Sequence, residues 1–144
     1  MSDWSKDTAR KFANKGKAKQ IQNAKVLHDE EVLRLKSPIM WEILTTQIDS
    51  RCQEINGEPE TPDLLSLDRT QSTVLDVVQT DTGAKVSLTL LPFYAVSVKG
   101  LGKSLDFELR VINGTSDVAF FTPNGKQVPP DEIATLIIQK LLGV

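Results

Sequence analysis

The chain has 144 residues, of which 40% are hydrophobic and 25% are charged. This composition is typical of one soluble globular domain and excludes disordered, collagen-like and disulfide-stapled chains. The only cysteine, Cys52, cannot form a disulfide within the chain, and no apolar run is long enough to span a bilayer. We therefore expect a cytoplasmic protein without a membrane span.

Charge is distributed unevenly along the chain. Residues 1–36 contain nine Lys or Arg and five Asp or Glu, a net charge of +4. Residues 37–144 contain eight Lys or Arg and fourteen Asp or Glu, a net charge of −6. A basic segment of this kind can bind an anionic partner or pair with an acidic surface. We divide the chain into a basic N-terminal helical arm, residues 1–36, and a single α+β domain, residues 37–144.

The arm is predicted to be one long helix. Residues 2–36 are mostly good helix formers without proline, and Ser2 or Asp3 can cap the start. From residue 21 onwards, apolar positions recur at spacings of three and four, which predicts one buried side. The residues on that side are Ile21, Ala24, His28, Val32 and Leu35.

A second helix is predicted to follow immediately. Ser37 and Pro38 are typical of an N-cap and a first helical position, and Asn56-Gly57 is typical of a helix end. Apolar residues recur between them at helical spacing, namely Ile39, Met40, Ile43, Leu44, Ile48, Cys52 and Ile55. The next segment, residues 58–71, contains two prolines and four acids, which predicts a connector with a short turn around residues 64–67.

The segment from Ser72 to Thr122 favours strands. Residues 85–90 and 105–111 alternate between apolar and polar side chains, as in a sheet with one buried face. Turn residues separate the strands, so the sheet is predicted to be an antiparallel meander. Because Pro92 leaves little room for a turn, we predict that residues 84–99 form one strand kinked at this proline. Four strands result.

A last helix is predicted to begin at Pro129-Pro130-Asp131-Glu132, where proline and acids occupy the first turn. Its predicted inner side is formed by Ile133, Leu136, Ile137, Lys140 and Leu141. The fold class is therefore α+β. It comprises two N-terminal helices, a four-stranded antiparallel meander with a kinked second strand, and a C-terminal helix packed on one sheet face.

One string in the sequence resembles a phosphate-binding loop. Residues 100–104, Gly-Leu-Gly-Lys-Ser, end as that loop does. However, position 97 is a serine where the motif requires glycine, and the residues after Ser104 alternate like a strand instead of forming a helix. The string is better interpreted as a glycine-rich hairpin turn.

No other residue indicates catalysis. His28 is the only histidine, which excludes a histidine pair within one chain, and Cys52 lies among apolar residues where a free cysteine acts as a small hydrophobe. The acids show no ordered metal-binding spacing. We therefore predict no catalytic residue, no cofactor and no metal ligand.

The N-terminal helix carries the remaining candidate site. Aromatic side chains lie among its cations, and the predicted partner-binding residues are Trp4, Arg10, Lys11, Phe12, Lys15, Lys17 and Lys19. The leading hypothesis is a non-catalytic protein-interaction or assembly module that binds a protein partner or a second copy of itself, with a homo-oligomer favoured. One alternative is nucleic-acid or anionic-surface binding through the same helix. A second alternative is a small-ligand or enzymatic pocket between sheet and helices.

Overall fold

The computed structural model describes residues 3–144 and confirms the α+β class, with an N-terminal helix, one antiparallel sheet and a C-terminal helix. Helix α1 covers Asp3–Asn56 and helix α2 covers Pro130–Leu142. The predicted helix start at Ser2 lies outside the described residues. Seven strands lie between the helices: β1 Leu65–Gln71, β2 Val74–Gln79, β3 Lys85–Leu91, β4 Ala95–Lys99, β5 Leu105–Val111, β6 Val118–Phe121 and β7 Gln127–Val128.

The prediction of two N-terminal helices is wrong, because α1 is a single helix of 54 residues with Pro38 inside it. Proline has no N–H to donate to the carbonyl of Arg34, which costs a helix about 3 kcal/mol. The flanking residues Ser37 and Trp41 are both buried against the rest of the chain. The packing of this turn therefore compensates for the missing hydrogen bond. As a result, the helix continues through Pro38 despite the low helix propensity of proline. The division into residues 1–36 and 37–144 stays a prediction, and α1 runs through its boundary.

The prediction of one kinked strand over residues 84–99 is also wrong. Leu91 pairs with Ala95 across a three-residue loop of Pro92, Phe93 and Tyr94, so this segment forms the β3–β4 hairpin. The Tyr94 N–H donates to the Leu91 carbonyl at 3.2 Å, and Tyr94 has a φ of +62°. This geometry is the familiar three-residue hairpin loop that ends in a left-handed residue. Proline suits the early turn position because its φ is preset.

Strand β1 lies where a connector was predicted. The side chain of Asn56, the last residue of α1, accepts a hydrogen bond from the Leu65 N–H and donates one to the Leu65 carbonyl, both at 2.8 Å. The Asn56 side chain therefore forms hydrogen bonds with both backbone groups of Leu65, as the backbone of a neighbouring strand would. With β1, the split of the predicted second strand and the two-residue β7, the sheet has seven strands instead of four.

The sheet is an antiparallel meander, and its strands pair in the order β1 to β7. The predicted alternation is confirmed in β3 and β5, where Val86, Leu88, Phe107 and Leu109 are buried. Cross-strand pairs such as Leu88 with Val98 place these residues on one face. Both helices contribute to the same core, so they cover that face.

Helix α2 begins where predicted, with Pro130 in its first turn and Asp131 and Glu132 beside it. The predicted inner side is partly wrong, because Lys140 is exposed. The buried residues of α2 are Ile133, Ala134, Ile137 and Ile138.

Candidate functional site

Most of the N-terminal part of α1 projects away from the rest of the chain, and only its end, at Lys25, His28 and Asp29, lines a cleft together with residues 114–116 of the turn between β5 and β6. From Asp3 to Glu31 every side chain is exposed except those of Ser5 and Asp29, which are half-buried. At a rise of 1.5 Å per residue, this projecting segment is roughly 40 Å long. Burial begins at Val32, whose exposed fraction is 8%. We call residues 3–31 the projecting segment.

Four large aliphatic side chains lie exposed along one side of α1. The exposed fractions are 72% for Ile21, 55% for Leu35, 58% for Ile39 and 41% for Ile43. We call these four residues the outer row. Ala24 and His28, which lie on the same side of the helix between them, are also exposed.

The outer row follows the pitch of a straight helix. Together with Ala24, His28 and Val32, its members are spaced three, four, four, three, four and four residues apart. This pattern averages about 3.67 residues per turn, close to the α-helical value, so the row stays on one side of α1.

The predicted burial of these residues is wrong at several positions. Ile21, Ala24, His28 and Leu35 were expected on a buried side, yet all four are exposed and only Val32 of that set is buried. Ile39 and Ile43 were expected in the core and are also exposed. The inner side of this part of α1 is formed instead by Trp41, Leu44, Ile48 and Cys52.

The outer row was not predicted because residues 39–44 have two apolar sides. Ile43 is next to the buried Leu44 and Ile39 is next to the half-buried Met40, so the inner and outer sets satisfy the same helical spacing. The sequence nevertheless contains a pattern that indicates the outer row. The three-four-four spacing that begins at Ile21 continues through Pro38 to Ile43, which indicates one uninterrupted helix with a second apolar side.

The seven predicted partner-binding residues all lie on the projecting segment, and all are exposed. By helical geometry, Arg10 and Lys17 lie on the same side as the outer row, at about 20 and 40° from Ile21. The other five share a different side of the helix and fall within about 100° of one another. These five are Trp4, Lys11, Phe12, Lys15 and Lys19. The role of all seven in binding stays a prediction.

The buried Cys52 has no features of a nucleophile. Its side chain is fully buried on the inner side of α1, and burial raises the pKa of the thiol to about 12. Asp49 contributes to the same shift as a nearby negative charge. The thiol is therefore protonated at neutral pH, whereas a reactive cysteine needs a thiolate.

The other sequence candidates do not form a reaction centre. Residues 100–104 form the turn between β4 and β5, and a strand follows instead of the helix that a phosphate loop requires. His28 is exposed on α1. Within residues 3–144, no group of three or more His, Cys, Asp or Glu side chains is placed to hold a metal ion.

Two shallow concavities lie next to the helices. One of about 430 Å³ lies beside α2 and is lined by residues that include Phe107, Lys126 and Asp131. The other, of about 300 Å³, lies where Pro38 meets the β3–β4 hairpin at Pro92. Both are open clefts. The one beside α2 has charged lining residues that also include Glu132, whereas the one at Pro38 is mainly apolar. A small-ligand function for either cleft stays a prediction.

Comparisons of the chain with protein-family models, with curated proteins and with solved structures find no significant match. In the part of the chain that the structure describes, neither helix is both long and apolar enough to cross a membrane.

Proposed function

We propose that this protein is a non-catalytic interaction or assembly module whose contact element is the projecting segment together with the outer row. The observation that carries this proposal is the row itself. It consists of four aliphatic side chains that remain 41 to 72% exposed along one side of a single helix. Leu35, Ile39 and Ile43 follow one another at a spacing of four, and exposed apolar surface of this kind is typical of protein-binding sites in soluble proteins.

The energetics of an isolated helix support the proposal. A helix in water gains little stability from its own hydrogen bonds, and Gly16 lowers the stability of this one further. Almost no side chain between Asp3 and Glu31 packs against the rest of the chain. A partner that covers one side of the projecting segment supplies the packing that most helices in proteins receive from their own fold.

The charge of the projecting segment also suits an acidic protein partner. Seven cations occur before residue 26, and none of them forms a salt bridge with any residue of the described range 3–144. They are Lys6, Arg10, Lys11, Lys15, Lys17, Lys19 and Lys25. Unpaired surface cations of this kind accelerate the encounter with an acidic surface and reject basic ones.

A second candidate function is the binding of nucleic acid or another anionic surface. One observation favours it: Lys11, Lys15 and Lys19 recur every four residues, and Phe12 lies on the same side of the helix. The net charge of the whole chain is −2, which is unlike the basic footprint of most nucleic-acid-binding domains. We therefore rank this function below protein binding.

The proposal is tested by lysine-specific cross-linking in intact cells that produce the full chain, followed by peptide mass spectrometry. We expect cross-links from lysines of the projecting segment to another polypeptide. The double variant Leu35→Ser/Ile39→Ser removes half of the outer row and leaves every lysine in place, so these cross-links should disappear. The matched control is Leu27→Ser, which removes an exposed leucine from a different side of α1 and should retain them.

Two results would overturn the proposal. One is the absence of intermolecular cross-links in the wild-type chain, and the other is an unchanged cross-link pattern in the Leu35→Ser/Ile39→Ser variant. Loss of the cross-links after nuclease treatment would favour the nucleic-acid function instead. Urea unfolding of each variant controls for damage to the fold, and because both altered leucine and isoleucine side chains are more than half exposed, the midpoints should agree with wild type.

A further inference from the structure

We infer that Asn113, in the turn between β5 and β6, is a site of spontaneous deamidation, at which water converts the side-chain amide into a carboxylate. The chain contains three Asn-Gly sequences, at residues 56–57, 113–114 and 124–125. Asparagine reacts most readily before glycine, because glycine has no side chain to hinder access to its backbone nitrogen. Of the three, the structure leaves Asn113 free to react and holds the other two with hydrogen bonds. This site is independent of the proposed function.

The reaction uses the backbone nitrogen of the glycine as its nucleophile. The Gly114 nitrogen loses its proton and attacks Cγ of Asn113, so that a C–N bond forms. The bond from Cγ to Nδ2 breaks, and ammonia leaves with the proton. Water then opens the resulting succinimide ring, at Cγ to give aspartate or at the main-chain carbonyl to give isoaspartate, whose backbone is one carbon longer. The reaction therefore requires an asparagine side chain that can rotate and a glycine N–H that is not hydrogen-bonded.

Both requirements are met at Asn113. Its side chain is exposed and forms no hydrogen bond with any residue of the described range 3–144. The Gly114 N–H donates no hydrogen bond within that range either, and nothing lies within 4 Å of the position that a Cβ would occupy. The turn is held by Thr115, whose N–H and hydroxyl donate to the Ile112 carbonyl at 3.0 and 2.8 Å. The two reacting groups themselves therefore have no hydrogen bond to break.

Hydrogen bonds hold both reacting groups at Asn124. This residue is exposed, but its Oδ1 accepts a hydrogen bond from the Thr122 hydroxyl. The Gly125 N–H donates to the Thr122 carbonyl at 2.9 Å. The nitrogen must release this bond before it can attack, and a bonded N–H is shielded from base as it is in hydrogen exchange. We therefore expect Asn124 to deamidate more slowly than Asn113, although glycine follows both.

Asn56 is held still more firmly. Its half-buried side chain forms the two hydrogen bonds with Leu65 that secure the start of β1. The Gly57 N–H donates to the Gln53 carbonyl at 3.0 Å. Deamidation at Asn56 would require opening of the end of α1 together with the start of β1. The structure therefore predicts that Asn113 reacts first, Asn124 second and Asn56 last.

Deamidation at Asn113 changes the loop that meets α1. The next residues along the chain, 114–116, line the cleft that they share with Lys25, His28 and Asp29. The product adds one negative charge beside this cleft, and in its isoaspartate form it also lengthens the backbone of the turn. The modification therefore alters the surroundings of the end of the projecting segment.

The inference is tested by incubating the purified full chain at mildly alkaline pH and measuring deamidation by peptide mass spectrometry, as a mass increase of about one dalton. Trypsin cleaves after Arg110 and Lys126, so Asn113 and Asn124 lie in one peptide, and its fragments distinguish them. A sample digested before incubation corrects for deamidation during digestion. In the folded chain we expect Asn113 to deamidate at least about tenfold faster than Asn124 and Asn56.

The matched control is the same incubation in urea, which removes the protection given by the fold. The three Asn-Gly sequences should then deamidate at rates that agree within about threefold. The variant Asn113→Gln, whose longer side chain would have to close a larger ring, should leave the folded chain almost without deamidation in the shared peptide. A folded chain in which Asn113 reacts no faster than Asn124 would overturn the inference. An equally large preference for Asn113 in urea would also overturn it, because the neighbouring sequence and not the fold would then select the site.

Discussion

The indole Nε1 of Trp41 donates a hydrogen bond of 2.8 Å to the carbonyl oxygen of Ser72. This bond joins the buried side of α1 to the turn between β1 and β2. The same carbonyl oxygen accepts a second hydrogen bond, at 2.9 Å, from Arg69. Arg69 also forms a salt bridge with Glu42 and lowers the pKa of that carboxyl through their hydrogen bond. The β1–β2 turn is thus fixed to two consecutive residues of α1.

We expect Trp41→Phe to lower the free energy of unfolding by about 1–2 kcal/mol, since it removes one hydrogen bond and part of the buried ring. Trp41→Ala should cost about 3–5 kcal/mol because it leaves a large cavity. Urea unfolding followed by circular dichroism measures both. The matched control is Trp4→Phe, which alters an exposed ring on the projecting segment and should change stability by less than about 0.5 kcal/mol. A Trp41→Phe midpoint equal to that of wild type would contradict the role of this bond.

Gly100 is the glycine with the closest backbone neighbour. A Cβ added there would collide with the Lys85 carbonyl oxygen and lie 3.2 Å from the Val86 Cα, and the residue has a φ of +106°. Gly100→Ala should therefore destabilise the fold by at least about 3 kcal/mol. Gly102→Ala, in the same turn at a φ of +83° with nothing within 4 Å of its Cβ, should cost only about 1 kcal/mol. Thermal unfolding of the two variants separates them, and equal losses would contradict a steric cause at Gly100.

The Cys52 thiol should make stability depend on pH in alkaline solution. Its pKa is raised from 9.0 to about 12 in the folded chain, so between these pH values the folded state binds more protons than the unfolded state. The free energy of unfolding should therefore fall as pH rises through this window. Cys52→Ala should show a shallower fall from pH 9 to pH 11 when urea midpoints are compared. Identical slopes would show that the thiol does not contribute.

The same burial predicts that Cys52 reacts slowly with an aromatic disulfide reagent. Its side chain is fully buried in the folded chain, so one thiol should become reactive only after urea is added. The Ile21→Cys variant provides the exposed control, since position 21 is 72% exposed. Rapid modification of the wild-type chain without denaturant would contradict the position of Cys52 in the core.

Ser37 contains a buried hydroxyl without a hydrogen-bond partner among the described residues. An unsatisfied buried polar group costs free energy, and alanine is the better helix former. Ser37→Ala should therefore leave stability unchanged or raise it by up to about 1 kcal/mol. The matched control is Thr45→Ala, because Thr45 is also buried in α1 but its hydroxyl donates to the Glu42 carbonyl at 3.0 Å. Urea unfolding should show a loss for Thr45→Ala only, and a marked loss for Ser37→Ala would reveal a partner for the hydroxyl.

Those parts of the fold that depend on local pattern were predictable from sequence. The alternation of residues 105–111 predicted β5 because one sheet face is buried, and the Pro129-Pro130 pair with its two acids predicted the start of α2. The split at Pro92 was not predictable in this way. A proline after a strand is compatible with a kink and with a hairpin, and the pairing of Leu91 with Ala95 decides between them.

Strand β1 and the candidate site escaped prediction for a related reason. Most of β1 is polar and exposed, and its start is held by the Asn56 side chain from another element, so no periodic signal marks it. The basic character of the projecting segment was visible in composition alone. The outer row was not, because helical spacing identifies apolar sides without saying which of two sides faces the core.

Because α1 continues without a break through Pro38, the number of residues in the helix determines which way its N-terminal side chains face. Its 54 residues make a rod of roughly 80 Å, with one end embedded in the core. Inserting a single residue near Gln22 would rotate everything before it by about 100° and turn Arg10 away from the side that it shares with Ile39. Inserting eleven residues, close to three full turns, would extend the rod by roughly 16 Å and preserve that orientation. The length of α1 can therefore change without reorienting its N-terminal side chains only in steps close to whole turns.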